Sequence, residues 1–301
     1  MLLGFMADAG EHTVIWAEGV SAAGGWYDVD KSGDGTDDML CYAASAANLV
    51  AWWQQRSHLD SSAPDDITSI WNTYRSACLN TKSGGDPLAA MNWWISGIYA
   101  PTHAAEVERS LFNMVSPGSE IITLSSFGGY YYDQYGLGRA QLEDLFSYRS
   151  NTDADPDNNY DNAYFGELLS SGAGVSLSIR SDSGNLAHAI TLWGVEYESG
   201  VLSKIWVTDS DDATLEADYK ECFSIDVVTN QETGTVYFDM SLESDVGSYE
   251  WQKWMGEQIY ILGVSAIHPA ATAGWQLLIP EPSTATLSLL ALVALVSRRR
   301  R

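Results

Sequence analysis

Cys41 follows the acidic turn Thr36-Asp37-Asp38-Met39-Leu40. It opens Tyr42-Ala43-Ala44-Ser45-Ala46-Ala47-Asn48-Leu49-Val50-Ala51-Trp52-Trp53, whose apolar residues recur at helical spacing. That places a thiol in the first turn of a predicted helix. There it meets unpaired backbone N–H groups and the positive end of the macrodipole, and both favour the nucleophilic thiolate. A structural cysteine would more naturally sit mid-helix.

A base lies much further along the chain. His188 is at the leading edge of His188-Ala189-Ile190-Thr191-Leu192-Trp193-Gly194-Val195, which reads as a buried strand. The polar stretch 180–185 before it reads as a loop. A second strand, 202–208, ends on Asp209-Ser210-Asp211-Asp212. A hairpin turning at Ser199-Gly200 would put His188 and Asp209 opposite one another at its open end. An aspartate there can accept from the imidazole, fix its tautomer and stabilise the imidazolium. Cysteine, histidine and aspartate in that order, on a helix start and then a hairpin, resemble the papain-like arrangement. Each residue also has a plainer reading alone. His188 would be a hydrogen-bonded structural histidine, Lys31 a solvated surface lysine, and Asp211 and Asp212 parts of a turn.

Several segments carry a closer resemblance. Gly25-Trp26-Tyr27-Asp28, Lys31, Asp37-Asp38-Met39-Leu40-Cys41, Asn48, Trp52-Trp53, His188-Ala189-Ile190, Leu192-Trp193-Gly194 and Val207-Thr208-Asp209-Ser210-Asp211 are similar, in order and spacing, to the immunoglobulin-degrading cysteine endopeptidase family (the IdeS/Mac type). Weaker matches lie at 14–20, 167–169 and 174–178. The resemblance implies Cys41 as nucleophile, His188 as general base and Asp209 as the group orienting it. It further implies Asp211 as a second acid beside the site and Lys31 as a donor to the oxyanion hole. Tyr42 stands where the family usually has a small glycine, so a narrower approach to the thiol is expected. The chain between about residues 56 and 165 does not align, which leaves the substrate open.

The chemistry implied is acyl transfer to water, with no metal or organic cofactor and with a protein, immunoglobulin-like by the family's name, as substrate partner. A transamidase would use the same triad with an amine acceptor. A non-catalytic surface or matrix binding protein on a papain-like scaffold would have no need of all three groups.

Composition narrows the partners. The chain has 301 residues, 46% of them hydrophobic, and a net charge of −25. The one dense run of positive charge is Arg298 to Arg301, so phosphate-tracking nucleic-acid binding is excluded as a working reading. Asp28-Val29-Asp30-Lys31-Ser32-Gly33-Asp34-Gly35 resembles the start of a calcium loop, but Met39 or Cys41 falls where a bidentate glutamate is wanted. A glycine-rich acidic turn presenting Lys31 is the simpler reading. Of the three cysteines, Cys78 and Cys222 either pair, leaving Cys41 free, or are two buried thiols. His12, His58, His103 and His268 have no motif around them.

Both termini resemble export signals. Met1 to Met6 followed by Ala7-Asp8-Ala9 looks like the last part of a signal peptide whose start lies upstream. At the other end, Pro280-Glu281-Pro282, an apolar run over 285–296 and four arginines resemble a PEP-CTERM sorting signal. That resemblance implies transient membrane anchoring, processing by an exosortase-type partner, and release or attachment at a bacterial cell surface.

These signals divide the chain into a truncated signal segment (1–9), a catalytic domain (10–272) and a sorting tail (273–301). The expected domain is α+β and papain-like: helices headed by Cys41 and an antiparallel sheet carrying His188 and Asp209. Further elements are a helix capped by Asp66 or Thr68 running through Trp71, Tyr74 and Ala77, a helix at 165–169 and a last strand at 258–264. Met91 to Gly97, with two tryptophans, reads as core. The tyrosines of 127–136 suit either substrate contact or packing.

Overall fold

The alanine run after Cys41 does what small side chains allow. Helix α1 (Cys41–Ser57) is buried without interruption from Tyr42 to Trp53. A helix apolar on all sides belongs in the middle of a fold, and α1 lies between two further helices and the sheet. The computed structural model describes residues 12–32, 34–57, 59, 62–78, 80, 85–97, 128–131, 135, 142, 144–150, 163–181, 184, 187–211, 222–229, 236–239 and 258–270. The 1–9 and 273–301 segments, His58, His103 and Asp212 fall outside these residues.

Helix α2 (Ile67–Ala77) starts at Asp66, whose carboxylate accepts from the Ser69 N–H at 2.9 Å. Thr68, the alternative cap, lies within the helix. The inner face of α2 is Ile70, Trp71, Tyr74 and Ala77. Helix α3 (Pro87–Ser96) has Asp86 as its cap, proline in the first turn and Gly97 at φ 78° to stop it. Trp93 and Trp94 are fully buried, as the core reading of that run expected. The described tyrosines of 127–136 also pack inward. Tyr131 is buried with its ring 5.4 Å from Trp53, and Tyr130 lies 4.6 Å from Trp94.

The strands are β1 (His12–Trp16), β2 (Phe146–Ser150), β3 (Gly174–Ser181), β4 (Ala187–Glu198), β5 (Val201–Thr208), β6 (Phe223–Thr229), β7 (Val236–Asp239) and β8 (Gln258–Ile267). All pair antiparallel in one sheet, seven of them ordered β1-β4-β3-β8-β7-β6-β5 and β2 pairing with β8 off that path. β5 also pairs β4, so the pairings from β4 through β3, β8, β7, β6 and β5 return to β4. A ring of this kind leaves few open strand edges. A short helix, α4 (Tyr164–Ser170), matches the expectation at 165–169 and packs against β1, β3 and β4. The chain is therefore α+β, with mixed helices and antiparallel sheet.

The β4–β5 hairpin turns at Ser199 (φ 52°) and Gly200 (φ 79°), two left-handed positions that suit a tight hairpin. One detail differs from the sequence expectation. The ladder ends at Thr191 opposite Thr208, so in continued register Ile190 faces Asp209 and His188 faces Asp211. Asp209 reaches His188 diagonally, one step past the last pair, rather than from directly across.

Gly174 marks how closely α1 meets the sheet. A Cβ there would sit 2.9 Å from the Trp52 ring and 3.0 Å from Leu49. Gly174→Ala should therefore destabilise the fold by roughly 1–3 kcal/mol through overpacking, measured by denaturant unfolding. A change within about 0.5 kcal/mol, the range of surface substitutions, would show that α1 can shift to make room.

Candidate active site

The segment before α1 is organised by one buried carboxylate. Asp37 accepts from the Ser32 N–H (3.0 Å) and from Arg75 Nε (3.1 Å), a side chain of α2. Its carbonyl accepts from the Leu40 N–H at 2.9 Å. Leu40 in turn accepts from the N–H groups of Ala43 and Ala44, which starts the helix at Cys41. Asn80 closes the turn from outside, accepting from the Met39 N–H (2.8 Å) and donating to the Gly35 carbonyl (3.1 Å). The acids of the calcium-like motif are partly spent on the turn itself. Asp34 accepts from the Ser32 and Thr36 hydroxyls and the Thr36 N–H, which lowers its pKa to about 2.

This turn delivers Lys31 and Cys41 to the end of the hairpin. The Lys31 N–H donates to the Ser210 carbonyl at 2.8 Å, fastening its segment beside Asp209-Ser210-Asp211. All five residues singled out from the sequence come together there. His188 Nε2 is 2.6 Å from Asp209 Oδ1. Nδ1 lies 3.8 Å from Asp211 Oδ2 and is the ring nitrogen left for Cys41, with which His188 shares a hydrogen bond. The Asp211 N–H donates to Asp209 Oδ1 at 3.0 Å, holding the carboxylate from behind. Lys31 Nζ pairs with Asp211 Oδ1 at 2.6 Å and also donates to the Asp38 carbonyl. Cys41 is partly exposed, whereas His188, Asp209 and Lys31 are buried.

The charges sustain one another. Burial opposes a thiolate at Cys41, but His188 and Lys31 outweigh it and lower the thiol pKa. Burial likewise opposes the imidazolium, and Asp209 and Cys41 together raise His188 well above its usual 6.5. Asp209 is held low, against burial, by His188, the Asp211 N–H and Lys31. Burial and the neighbouring Asp209 push Asp211 up, with His188 and Lys31 resisting. These directions favour a thiolate–imidazolium pair backed by a carboxylate, with an ammonium at its side. His188, Asp209 and Asp211 also offer ligand atoms within 4.8 Å of one another, but the positive charge the structure sets against Asp211 is the Lys31 ammonium.

One expectation about a neighbouring group changes, and one left open is decided. Tyr42 does not narrow the approach to the thiol. It is 1% exposed, its hydroxyl bonds the Cys78 thiol, and its ring lies where a Cβ on Gly85 would fall. The larger residue thus fills the space beside α1 rather than the cleft. Cys78 and Cys222 are separate thiols, each pushed up to about 12, chiefly by burial. Cys41 alone among the three is lowered.

His12 pairs with Glu196 at 2.9 Å, and His268 bonds the Ser147 hydroxyl at 2.9 Å, so both are tied up locally. Sequence reasoning missed Arg75, Asn80 and the Asp38 carbonyl. Arg75 and Asn80 lie in the stretch without family similarity, and a backbone carbonyl carries no sequence signal.

His188 should titrate above 6.5, and removing either anion beside it should lower that value. By NMR of the imidazole, the His188 pKa should fall in Cys41→Ser and also in Asp209→Asn, since each variant removes a charge that favours the imidazolium. An unchanged titration in both variants would contradict the electrostatic coupling.

Comparison with known proteins touches the first part of this arrangement. A search of curated proteins finds no match. Residues 6–66 match the family model described as Mac 1, a span of about a fifth of the chain that contains Lys31, Asp37, Cys41 and Asn48. It supports the IdeS/Mac resemblance for the nucleophile's half of the site; His188 and Asp209 lie beyond it.

Proposed function

We propose that this chain is a cysteine endopeptidase of the papain-like, IdeS/Mac type, hydrolysing peptide bonds of a protein substrate through Cys41, His188 and Asp209. The observation that carries the reading is the convergence of a pKa-lowered thiol at a helix start with a buried imidazole that is itself 2.6 Å from a carboxylate. The Cys41 thiolate attacks the substrate carbonyl carbon. His188 Nδ1–H then protonates the leaving amine as the tetrahedral intermediate collapses to a thioester. The same nitrogen next takes a proton from water, and the resulting hydroxide releases the acyl group and regenerates the thiolate.

The oxyanion faces the Cys41 backbone N–H, one of the first-turn donors without an intrahelical partner. The Lys31 ammonium, whose pKa is raised against burial by Asp211 and Cys41, is the second donor. Asp211 has a part in this reading as well, because it holds that ammonium beside the thiol. Substrate choice rests on surfaces outside these residues, with immunoglobulin the first candidate on family grounds.

The sequence pattern of the two ends supports an exported, initially membrane-anchored protein whose tail, marked by Pro280-Glu281-Pro282, is processed by an exosortase-type enzyme. Among the described residues no helix is long and apolar enough to cross a membrane, and the apolar run 285–296 is not among them.

Immunoglobulins and unstructured proteins, incubated with the enzyme and mapped by mass spectrometry, should yield discrete new termini. Cys41→Ala and His188→Ala should abolish them. Lys31→Met should lower kcat about 10²–10³-fold, the usual cost of one oxyanion donor. Cleavage that persists in Cys41→Ala, or amine incorporation in place of hydrolysis, would overturn the assignment.

A further inference from the structure

Behind the site lies a buried chain of hydroxyls and one amide whose hydrogen bonds run in a single direction. Asn48 and Ser45 lie on α1 at seven and four residues from Cys41, hence on its face of the helix. Asn48 Nδ2 donates to the hydroxyls of Thr191 (3.2 Å) and Thr208 (3.4 Å). The Thr208 hydroxyl gives its own proton to the Tyr27 carbonyl (3.0 Å), so its lone pairs accept from Asn48 and from Trp193 Nε1 (2.9 Å). That fixes which side of the Asn48 amide faces it. The Thr191 hydroxyl is 3.0 Å from Ser45 Oγ, whose proton goes to Ser176 Oγ (2.8 Å) or to the Ile190 carbonyl (3.2 Å), and Ser176 donates to that same carbonyl (3.3 Å). Each hydroxyl supplies one proton, and only Asn48 supplies two. All of these side chains are at most 2% exposed.

The segments joined in this way are the four that carry the site. Asn48 shares α1 with Cys41, Thr191 shares β4 with His188, and Thr208 immediately precedes Asp209. Tyr27 lies four residues before Lys31. We propose that Asn48 is a positioning residue: by donating two hydrogen bonds at once, it sets the separation of Cys41 from His188 and Asp209 and so maintains the ion pair. The inference rests on the cysteine-nucleophile reading of the same site. Its Oδ1 accepts no hydrogen bond among the described residues, so the amide's contribution lies in its donors. A carboxylate of the same shape would present lone pairs to two hydroxyls and reverse the chain.

The test is the rate of iodoacetamide labelling of Cys41 in the full chain at about pH 6 relative to about pH 9, with melting curves recorded on the same samples. Wild type should label readily at the lower pH. Asn48→Asp and Thr208→Val should each lose about tenfold in the pH 6 to pH 9 ratio, one pKa unit upward for the thiol. Thr208→Ser, which keeps the hydroxyl, should stay within about twofold of wild type. Should Asn48→Asp not fold, the Thr208 pair decides alone. Lower melting temperatures with an unchanged labelling ratio would overturn the positioning role and leave a structural one. Slow low-pH labelling in wild type would instead overturn the ion pair and this inference with it.

Discussion

The proposed charged pair between Cys41 and His188 is the constraint to which the surrounding structure answers. A buried imidazolium is costly unless an anion faces each side of it. Here Asp209 faces Nε2 and the Cys41 thiolate takes the other nitrogen. The thiolate is in turn sustained by His188 and by Lys31, and Lys31 needs Asp211 to remain charged while buried. Removing any one member leaves another charge unpaired, so the five residues behave as a unit rather than as separable contributions. A chain with net charge −25 thus concentrates two of its few cations at one point.

Holding that unit together is a problem of backbone supply. The four segments involved fall in two distant parts of the chain, around residues 27–48 and 188–211, and each is fixed by polar bonds that bring its main chain to the same place. Asp37 and Arg75 shape the turn before Cys41, the Lys31 N–H bonds the Ser210 carbonyl, and the Asn48 hydroxyl chain ties the helix to the hairpin root. Apolar packing of α1 provides the bulk of the support, while these bonds select one register. Such directional, fully buried networks specify arrangement more than they add stability.

Much of this was legible in the chain itself. Helical spacing after Cys41, the Asp66 cap, the hairpin turn at Ser199-Gly200 and the apolar run after His188 are local signals, and the elements they indicate are present. Lys31 and Asp211 were indicated by the family resemblance alone, whereas Cys41, His188 and Asp209 were legible because they sit beside such signals. β2, β6 and β7 were not: Phe146–Ser150, Phe223–Thr229 and Val236–Asp239 are short and carry no marker beyond alternation, and their pairing with distant strands makes them strands. Tyr42 shows the other limit. Spacing places it next to the nucleophile, but only packing decides that its ring turns towards Gly85 and Cys78.

In the proposed site, Cys41 is a thiolate at a pH where an ordinary cysteine is not. The most direct measurement is the ultraviolet absorbance of the thiolate, taken as wild type minus Cys41→Ser, from about pH 4 to 10. Burial keeps Cys78 and Cys222 protonated, up to about 12, over that range, so the difference reports Cys41. The signal should develop below the 9.0 of an unperturbed thiol and move upward in His188→Ala. A signal that appears only near 9 and ignores His188 would contradict the proposed thiolate.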